Sequence, residues 1–340
     1  MLSEWSSVSG SGFCYHSIMT IGITGPGRRV PWRGAVVVLI IAAIVLSICL
    51  ILLGLTGDFL VDWLWFSTIG YLDVFWTTIV AEGEVFFAVF VATVIILWVN
   101  GSLASRFGRS PWTHRPADFE WKRTGIVTSS DVLEFMRHRL PWPFVTAGGA
   151  SLLAVLVAWG EVHNWGVFLQ FLYHVPYGAN DPLYDKDIGF YLFALPAYVV
   201  IKNWMLLTLI LSALFAGAIY WVHGHIEYSA QRRSISPTAI AHGSVLLGFF
   251  FVVKAWSYGL DRYLLLYHDN GVVVGASYTA IHVELPVLWL LIGLSTVAAF
   301  ASWANLRVRT YRLPTAATVL VFGGSRPDRE DSNSEMSSQN

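Results

Sequence analysis

The chain has 340 residues, of which 55% are hydrophobic and only 13% are charged. Its mean hydropathy of +0.58 lies on the apolar side of the range typical of soluble domains and excludes an ordinary soluble globular protein. The formal net charge of −1 gives no indication of a nucleic-acid partner. The two cysteines, Cys14 and Cys49, are too few for a disulfide framework or a metal site, and no cofactor is predicted.

Six long apolar runs follow one another along the chain. The first has 22 residues and would span about 33 Å as a helix, which is too long for a signal peptide, so we interpret it as a retained membrane anchor. A shorter run, Leu313–Phe322, is a truncated seventh candidate. The sequence therefore predicts an all-α fold, a polytopic transmembrane helix bundle of six spans plus this truncated seventh. The six predicted spans are residues 34–55, 75–103, 144–159, 191–222, 239–265 and 285–306.

Positive charge is distributed unevenly between the spans. Fifteen Lys and Arg residues lie before the first span, in every second gap or directly after the sixth span, whereas the alternate gaps hold only Lys186 and Arg262. Because positively charged loops stay in the cytoplasm, the sequence predicts a multi-pass protein of the cytoplasmic membrane with a cytoplasmic N-terminus. We expect residues 1–30 to be a disordered cytoplasmic segment, residues 31–312 to form the bundle, and residues 313–340 to hold the truncated span and a polar disordered tail.

The predicted cytoplasmic loop after the second span offers a contact with lipid. A helix start at Asp131 is followed by apolar residues on one face, and Arg137 and Arg139 lie near its end. Each arginine would add about 1 kcal/mol of attraction to an anionic leaflet. A plain positively charged loop explains the same residues. The predicted partners are therefore the lipid bilayer and anionic lipids, and the sequence indicates no particular protein partner.

Three stretches in the predicted outer loops carry a family resemblance. Asp62–Phe75 (DWLWFSTIGYLDVF), Asn180–Pro196 (NDPLYDKDIGFYLFALP) and Lys254–Thr279 (KAWSYGLDRYLLLYHDNGVVVGASYT) resemble uncharacterised protein family 0182. The resemblance covers roughly residues 33–314, with the three motifs in order. The family consists of large multi-pass bacterial membrane proteins that have no assigned activity, so the resemblance implies a fold and no catalytic residues.

The resemblance also implies what this chain lacks. Members of the family are expected to have about seven spans followed by a long extracytoplasmic domain. Here the seventh span is cut to Leu313–Phe322 and a short polar tail follows. We therefore expect the chain to correspond to the N-terminal membrane part of the family alone, through truncation, frameshift or gene splitting. The second methionine, Met19, leaves two candidate starts.

The fifth span carries the strongest candidate polar site. Lys254 lies near its outer end, where an ionisable side chain costs about 2.5–3.5 kcal/mol unless it is paired or hydrated. Tyr258 and Asp261 follow at helical spacing, so the three share one face and form a polar ladder. An internal salt bridge or snorkelling toward the interface is the preferred explanation, and a substrate or ion site is the alternative.

Further ionisable residues lie in the outer halves of neighbouring spans. Glu82 and Glu84 belong to the second span and Lys202 to the fourth. Together with the ladder they would make a charged pocket if these spans pack together.

Other chemistry-bearing residues give weaker indications. The acidic run Asp181, Asp185 and Asp187 is a weak candidate for a calcium ion, since it lacks the spacing and the closing glutamate of the known calcium-binding loop. Turn formation explains it adequately, and no metal is predicted. His223 and His225 are too few for a zinc site, so we expect them to anchor the fourth span at the interface.

Three functions are compatible with the sequence. The favoured one is a membrane anchor or scaffold that belongs to a larger envelope protein. The alternative is a transporter or channel component that uses the polar ladder, with Gly271–Gly275 either re-entrant or, preferably, a strand-like loop. The third is a membrane enzyme acting on a lipid-linked substrate with Asp261 or Asp187 as base, although no catalytic motif supports it.

Overall fold

The computed structural model describes residues 32–109, 140–229, 232–267 and 275–308, together with residues 315, 318, 319 and 321. This part of the chain is predominantly α-helical, as the sequence predicts. Its regular elements are α1 (Trp32–Thr68), α2 (Leu72–Gly108), α3 (Trp142–Glu161), α4 (Trp165–Tyr173), α5 (Leu195–Val222), β1 (Ile226–Ser229), β2 (Arg232–Ile235), α6 (Pro237–Leu264) and α7 (Leu285–Val308).

Among the described residues, six helical stretches are long and apolar enough to cross a membrane, and each contains most or all of one predicted span. The third stretch is longer than predicted, because the 3₁₀ turn Val162–Asn164 joins α3 to α4 where Glu161 and Asn164 interrupt the apolar pattern. Within this part of the chain, the six predicted spans are thus confirmed in number and order. The six stretches are Val38–Thr68, Leu72–Gly108, Trp142–Tyr173, Phe190–Val222, Pro237–Tyr267 and Ala280–Val308.

Several predicted segments lie outside the described residues, in whole or in part. Of the truncated seventh span, residues 315, 318, 319 and 321 are described and are helical, and Val321 is buried in a cluster with Phe251 and Leu291. Wholly or largely outside are the segment 1–30, the surface helix with Arg137 and Arg139, the stretch 271–274 and the tail from residue 322 onward.

The chain forms two units, Met1–Phe75 and Trp76–Asn340. In the first unit, the Phe75 ring packs against Phe59 and Phe66, with centroids 5.4 and 5.8 Å apart. The described aliphatic side chains of α1, from Val38 onward, are exposed. This is the surface expected of a helix whose sides face lipid, because lipid tails are as apolar as those side chains.

In the second unit, α6 and α7 form the closest helix pair and run antiparallel. The Trp303 indole lies against Gly248, where a Cβ atom would overlap it. One turn away, the Asn305 side-chain amide donates a hydrogen bond of 2.8 Å to the Ser244 hydroxyl. Small and polar residues at a helix interface allow this close approach of two backbones.

The two ends of the second unit differ. At the hairpin end, β1 and β2 pair antiparallel with Ile226 opposite Ile235, and the Ser236 hydroxyl caps α6 by accepting from the Ala239 N–H at 3.2 Å. The short strands add to the predicted helical fold. At the opposite end, which we call the loop end, residues 174–189 connect α4 to α5, α6 ends and α7 begins.

Two helical stretches begin with the same irregular turn at the loop end. Phe190–Ala194 and Ala280–Glu284 are π-helical, and the following Leu195 and Leu285 donate to carbonyls five residues back. In both cases a proline comes next, in the sequences Leu-Pro at 195–196 and 285–286. A proline ring collides with the carbonyl four residues before it, and the wider turn relieves that collision.

Candidate functional site

The 174–189 loop is organised around the carboxylate of Asp181. This side chain is only 8% exposed, and it accepts hydrogen bonds from the N–H groups of Leu183 and Tyr184 at 2.9 and 2.8 Å. The Tyr191 hydroxyl donates a third bond at 2.8 Å. Desolvation raises the pKa of Asp181, but the hydrogen bonds outweigh it, so the pKa lies below its usual value.

Asp187 organises the other half of the loop. Its carboxylate accepts from the N–H groups of Tyr177, Gly178 and Gly189 at 3.0, 2.9 and 2.6 Å. These backbone donors hold the pKa of Asp187 below its usual value. Asp185, in the left-handed region at φ 51°, accepts from the Asn180 side-chain amide at 3.0 Å.

These contacts bear on the weak calcium candidate. The carboxylates of Asp181, Asp185 and Asp187 are turned toward donors of their own loop rather than toward a common point. Within the described ranges, no three His, Cys, Asp or Glu side chains are grouped closely enough to hold a metal ion. In this structure the three carboxylates therefore hold the loop in one conformation through their hydrogen bonds.

Aromatic residues attach the loop to the helices. The Tyr184 hydroxyl donates to the Arg262 carbonyl at 2.9 Å, and its ring meets the Tyr263 ring edge-on at 5.0 Å. The Tyr267 hydroxyl donates to the Tyr191 carbonyl at 2.6 Å. Burial raises the pKa of Tyr184, so the hydroxyl stays a donor across the physiological range. The loop, the start of α5 and the end of α6 thus form one hydrogen-bonded platform, which we call the loop-end platform.

Below the platform, the structure brings together the predicted ladder on α6. The Lys254 ammonium lies 4.3 Å from the centroid of the Tyr258 ring, a cation–π distance. Asp261 is half-buried and lies one turn after Ser257 on the same helix. Lys202 is also half-buried and lies on α5.

The two glutamates of α2 are placed differently. Glu82 is half-buried and Glu84 is exposed. Across the described ranges, neither makes a hydrogen bond or ion pair with the ladder residues. The charged pocket among three spans therefore stays a prediction.

A second polar network, which sequence reasoning missed, lies toward the hairpin end. One ring nitrogen of His242 lies 3.1 Å from the Tyr220 hydroxyl, and the other lies 3.2 Å from the Asn100 side-chain oxygen. A neutral imidazole satisfies both partners by accepting from the tyrosine and donating to the asparagine. The network joins α2, α5 and α6, and its only sequence signal is a polar residue within each of three apolar runs.

The two histidines after α5 are buried rather than interfacial. His225 lies 2.8 Å from the Ser236 hydroxyl through one nitrogen and 3.1 Å from the Gly108 carbonyl through the other. The His223 ring packs on Trp142 with centroids 4.3 Å apart. Both histidines are 2% exposed, so they connect the ends of four spans instead of anchoring one span at a surface.

An apolar cavity of about 270 Å³ lies between α2, α4 and α5. Its wall includes Glu161, whose carboxylate accepts from the Asn164 side-chain amide at 2.8 Å. Trp204, also in the wall, directs its N–H to the Thr93 hydroxyl at 2.9 Å. The remaining lining residues are Val85, Ala88, Val89, Ala92, Phe168, Val200 and Ile201.

These features define a polytopic helical membrane protein with polar groups gathered toward the two ends of its bundle. Residues 38–326 match the Uncharacterised protein family (UPF0182), and the chain belongs to this family. The family resemblance predicted from the three motifs is confirmed.

Individual relatives show how much of the family the chain represents. It is 64% identical to a UPF0182 protein of Bradyrhizobium diazoefficiens over 90% of this chain and 33% of the relative. For a UPF0182 protein of Cupriavidus necator the identity is 46%, over 88% of this chain and 31% of the relative. The chain thus spans about a third of the length of these relatives. No solved structure matches it.

Proposed function

We propose that this chain is a membrane anchor and scaffold that holds the remainder of a longer envelope protein at the loop end of its bundle. The observation that carries the proposal is the loop-end platform. Asp181, Tyr184 and Tyr267 fix the loop to two spans, so it offers a partner a preformed surface. A preformed surface loses little conformational entropy when a partner docks on it.

The distribution of charge between the two ends supports one orientation of the bundle in the membrane. The hairpin end carries Arg106, Arg109, Arg232, Arg233 and Arg307, whereas the loop end carries Asp181, Asp185 and Asp187 beside Lys186 and Arg262. By the positive-inside rule, the hairpin end faces the cytoplasm and the loop end faces outward. The membrane is then the cytoplasmic membrane, and the docked remainder lies outside it.

Cysteine labelling tests the orientation. In a variant with Cys14 and Cys49 replaced by Ser, Tyr177→Cys probes the loop end and Ile235→Cys probes the hairpin end, since these side chains are 64% and 48% exposed. A membrane-impermeant maleimide should label Tyr177→Cys in intact cells and Ile235→Cys only after permeabilisation. The reverse pattern would invert the proposed orientation.

Co-purification tests the scaffold role. The remainder of the Bradyrhizobium relative, exported as a separate polypeptide, should co-purify with this chain from membranes. Tyr184→Phe, which removes the bond to Arg262, should weaken that association, whereas Tyr177→Phe changes an exposed hydroxyl and serves as the matched control. An exported remainder that never associates with a correctly inserted chain would contradict the scaffold proposal.

Transport is the second candidate, and one observation favours it. Lys254 and Asp261 are ionisable residues within one span, and Lys202 is another within a second span; charged groups inside spans often mark an ion or substrate path. A transporter would expose such a site alternately to both sides of the membrane. A scaffold should allow Lys254→Cys to be labelled from the loop end alone, and labelling from both ends would favour transport.

A further inference from the structure

The apolar cavity between α2, α4 and α5 has one charged group in the described part of its wall, the carboxylate of Glu161. Its Oε2 atom accepts the hydrogen bond from the Asn164 side chain at 2.8 Å. Within the described ranges, the other oxygen accepts no hydrogen bond, and no Lys or Arg pairs with this carboxylate. Glu161 is half-buried. A carboxylate that is partly removed from water is stabilised by a cation that donates hydrogen bonds to it.

Glu161 lies at the depth where lipid headgroups begin. The 20 residues of α3, from Trp142 to Glu161, extend over about 30 Å, which is the thickness of the hydrocarbon core of a bilayer. The Trp142 ring packs on His223, which directly follows α5, so Trp142 lies at the hairpin end. Glu161 therefore lies near the opposite boundary of the hydrocarbon, on the side of the loop end.

The position and size of the cavity suit a single hydrocarbon chain. Every lining residue belongs to a membrane-spanning stretch, and Ala88 in the wall is exposed, so a ligand enters from the hydrocarbon. A volume of about 270 Å³ is just below the range of small-molecule sites, about 300–1,000 Å³, and fits one narrow chain. The described part of the truncated seventh span packs elsewhere, since Val321 is buried against Phe251 and Leu291.

We propose that this cavity binds phosphatidylethanolamine, with one acyl chain along the apolar wall and the ammonium group on the Glu161 carboxylate. The chain makes van der Waals contacts with the wall, and the ammonium donates charge-assisted hydrogen bonds to the carboxylate. The quaternary ammonium of phosphatidylcholine has no N–H group and makes no such bond. This lipid site is independent of the scaffold role, because its side chains do not belong to the loop-end platform.

Native mass spectrometry of the purified chain tests the proposal. The chain is stripped of lipid in an uncharged detergent, and phosphatidylethanolamine or phosphatidylcholine with identical acyl chains is added. The wild type should retain phosphatidylethanolamine about fivefold more strongly. Glu161→Gln should abolish most of this preference, because a neutral amide forms no charge-assisted bond with the ammonium. Ala88→Phe narrows the cavity and should weaken the retention of both lipids to the same extent.

A matched control and a second probe complete the test. Glu284→Gln removes the same charge from an exposed position at the loop end and should leave the preference unchanged. Phosphatidylethanolamine with a photoreactive acyl chain should crosslink to residues 85–92, 168 or 200–204. Thermal unfolding in the same detergent checks that each variant is folded. Equal retention of the two lipids by the wild type, an unchanged preference in folded Glu161→Gln, or crosslinks confined to other spans would each overturn the proposal.

Discussion

The Tyr191 hydroxyl donates a 2.8 Å hydrogen bond to the Asp181 carboxylate, and this bond joins the first turn of a span to the loop that precedes it. Tyr191 and Asp181 are both buried, so the bond is shielded from water. A hydrogen bond to a charged group in such a place contributes more than an exposed one. The bond therefore fixes the position of the loop relative to the first turn of the helix.

Removal of this bond should loosen the loop-end platform. Tyr191→Phe keeps the ring but leaves the buried Asp181 carboxylate with one donor fewer, and we expect a loss of about 1–3 kcal/mol in the free energy of unfolding. The measurement is denaturant unfolding in detergent micelles. Tyr177→Phe, at an exposed tyrosine of the same loop, should change stability by less than about 0.5 kcal/mol. Equal losses in the two variants would contradict the assignment.

The same loop should respond to acid. Because the pKa values of Asp181 and Asp187 are lowered by folding, their stabilisation is complete above the usual carboxyl pKa of 3.8 and is lost as the pH falls below it. Hydrogen-exchange protection of the Gly178 and Tyr184 amides, corrected for intrinsic rates, should hold constant from pH 8 to about pH 5 and decline below about pH 4.

A variant without the titrating group separates this effect from general acid unfolding. Asp187→Asn should show weaker protection of Gly178 at neutral pH and a smaller decline in acid, because the group that gains a proton is absent. A decline of the same size in the wild type and in Asp187→Asn would rule out the carboxylate as its cause.

The contact between α6 and α7 should tolerate no added volume at Gly248. A methyl group there would overlap the Trp303 indole, so Gly248→Ala should cost about 1–3 kcal/mol of stability. Gly259→Ala is the matched control on the same helix, since its Cβ would meet no heavy atom within 4 Å. The control should be neutral or stabilising by up to about 1 kcal/mol. Thermal unfolding of both variants measures the difference.

The contact between Asn100 and His242 should appear as an energetic coupling. Polar contacts between membrane helices average about 0.6 kcal/mol and reach about 1.7 kcal/mol. We expect a double-mutant cycle with Asn100→Ala and His242→Ala to give a coupling energy in this range. The same cycle with His282→Ala, an exposed histidine at the opposite end, should give a value near zero. A zero coupling for His242 would mean that its bond to Asn100 adds no stability.

The six spans could be predicted from the sequence because a bilayer of fixed thickness requires a minimum length of apolar helix. The ladder could be predicted in part, since Lys254, Tyr258 and Asp261 are related by helical spacing alone. The bond from the Tyr184 hydroxyl to the Arg262 carbonyl could not be predicted, because it depends on how the loop packs on α6. The bond between Asn100 and His242 joins residues 142 positions apart, so it could not be predicted from local sequence patterns.

The π-helical turns before the two Leu-Pro sites determine how the helices respond to the deletion of a residue. A π turn holds one residue more than an α-helical turn, so each site behaves as a one-residue insertion within an otherwise continuous helix. Deletion of one residue from Phe190–Ala194 would restore an ordinary helical phase and rotate everything before it by about 100° relative to α5. The loop would then turn away from α6, and the Tyr184 hydroxyl would lose the Arg262 carbonyl. The helix would survive such a deletion, and the alignment of the loop upon it would not.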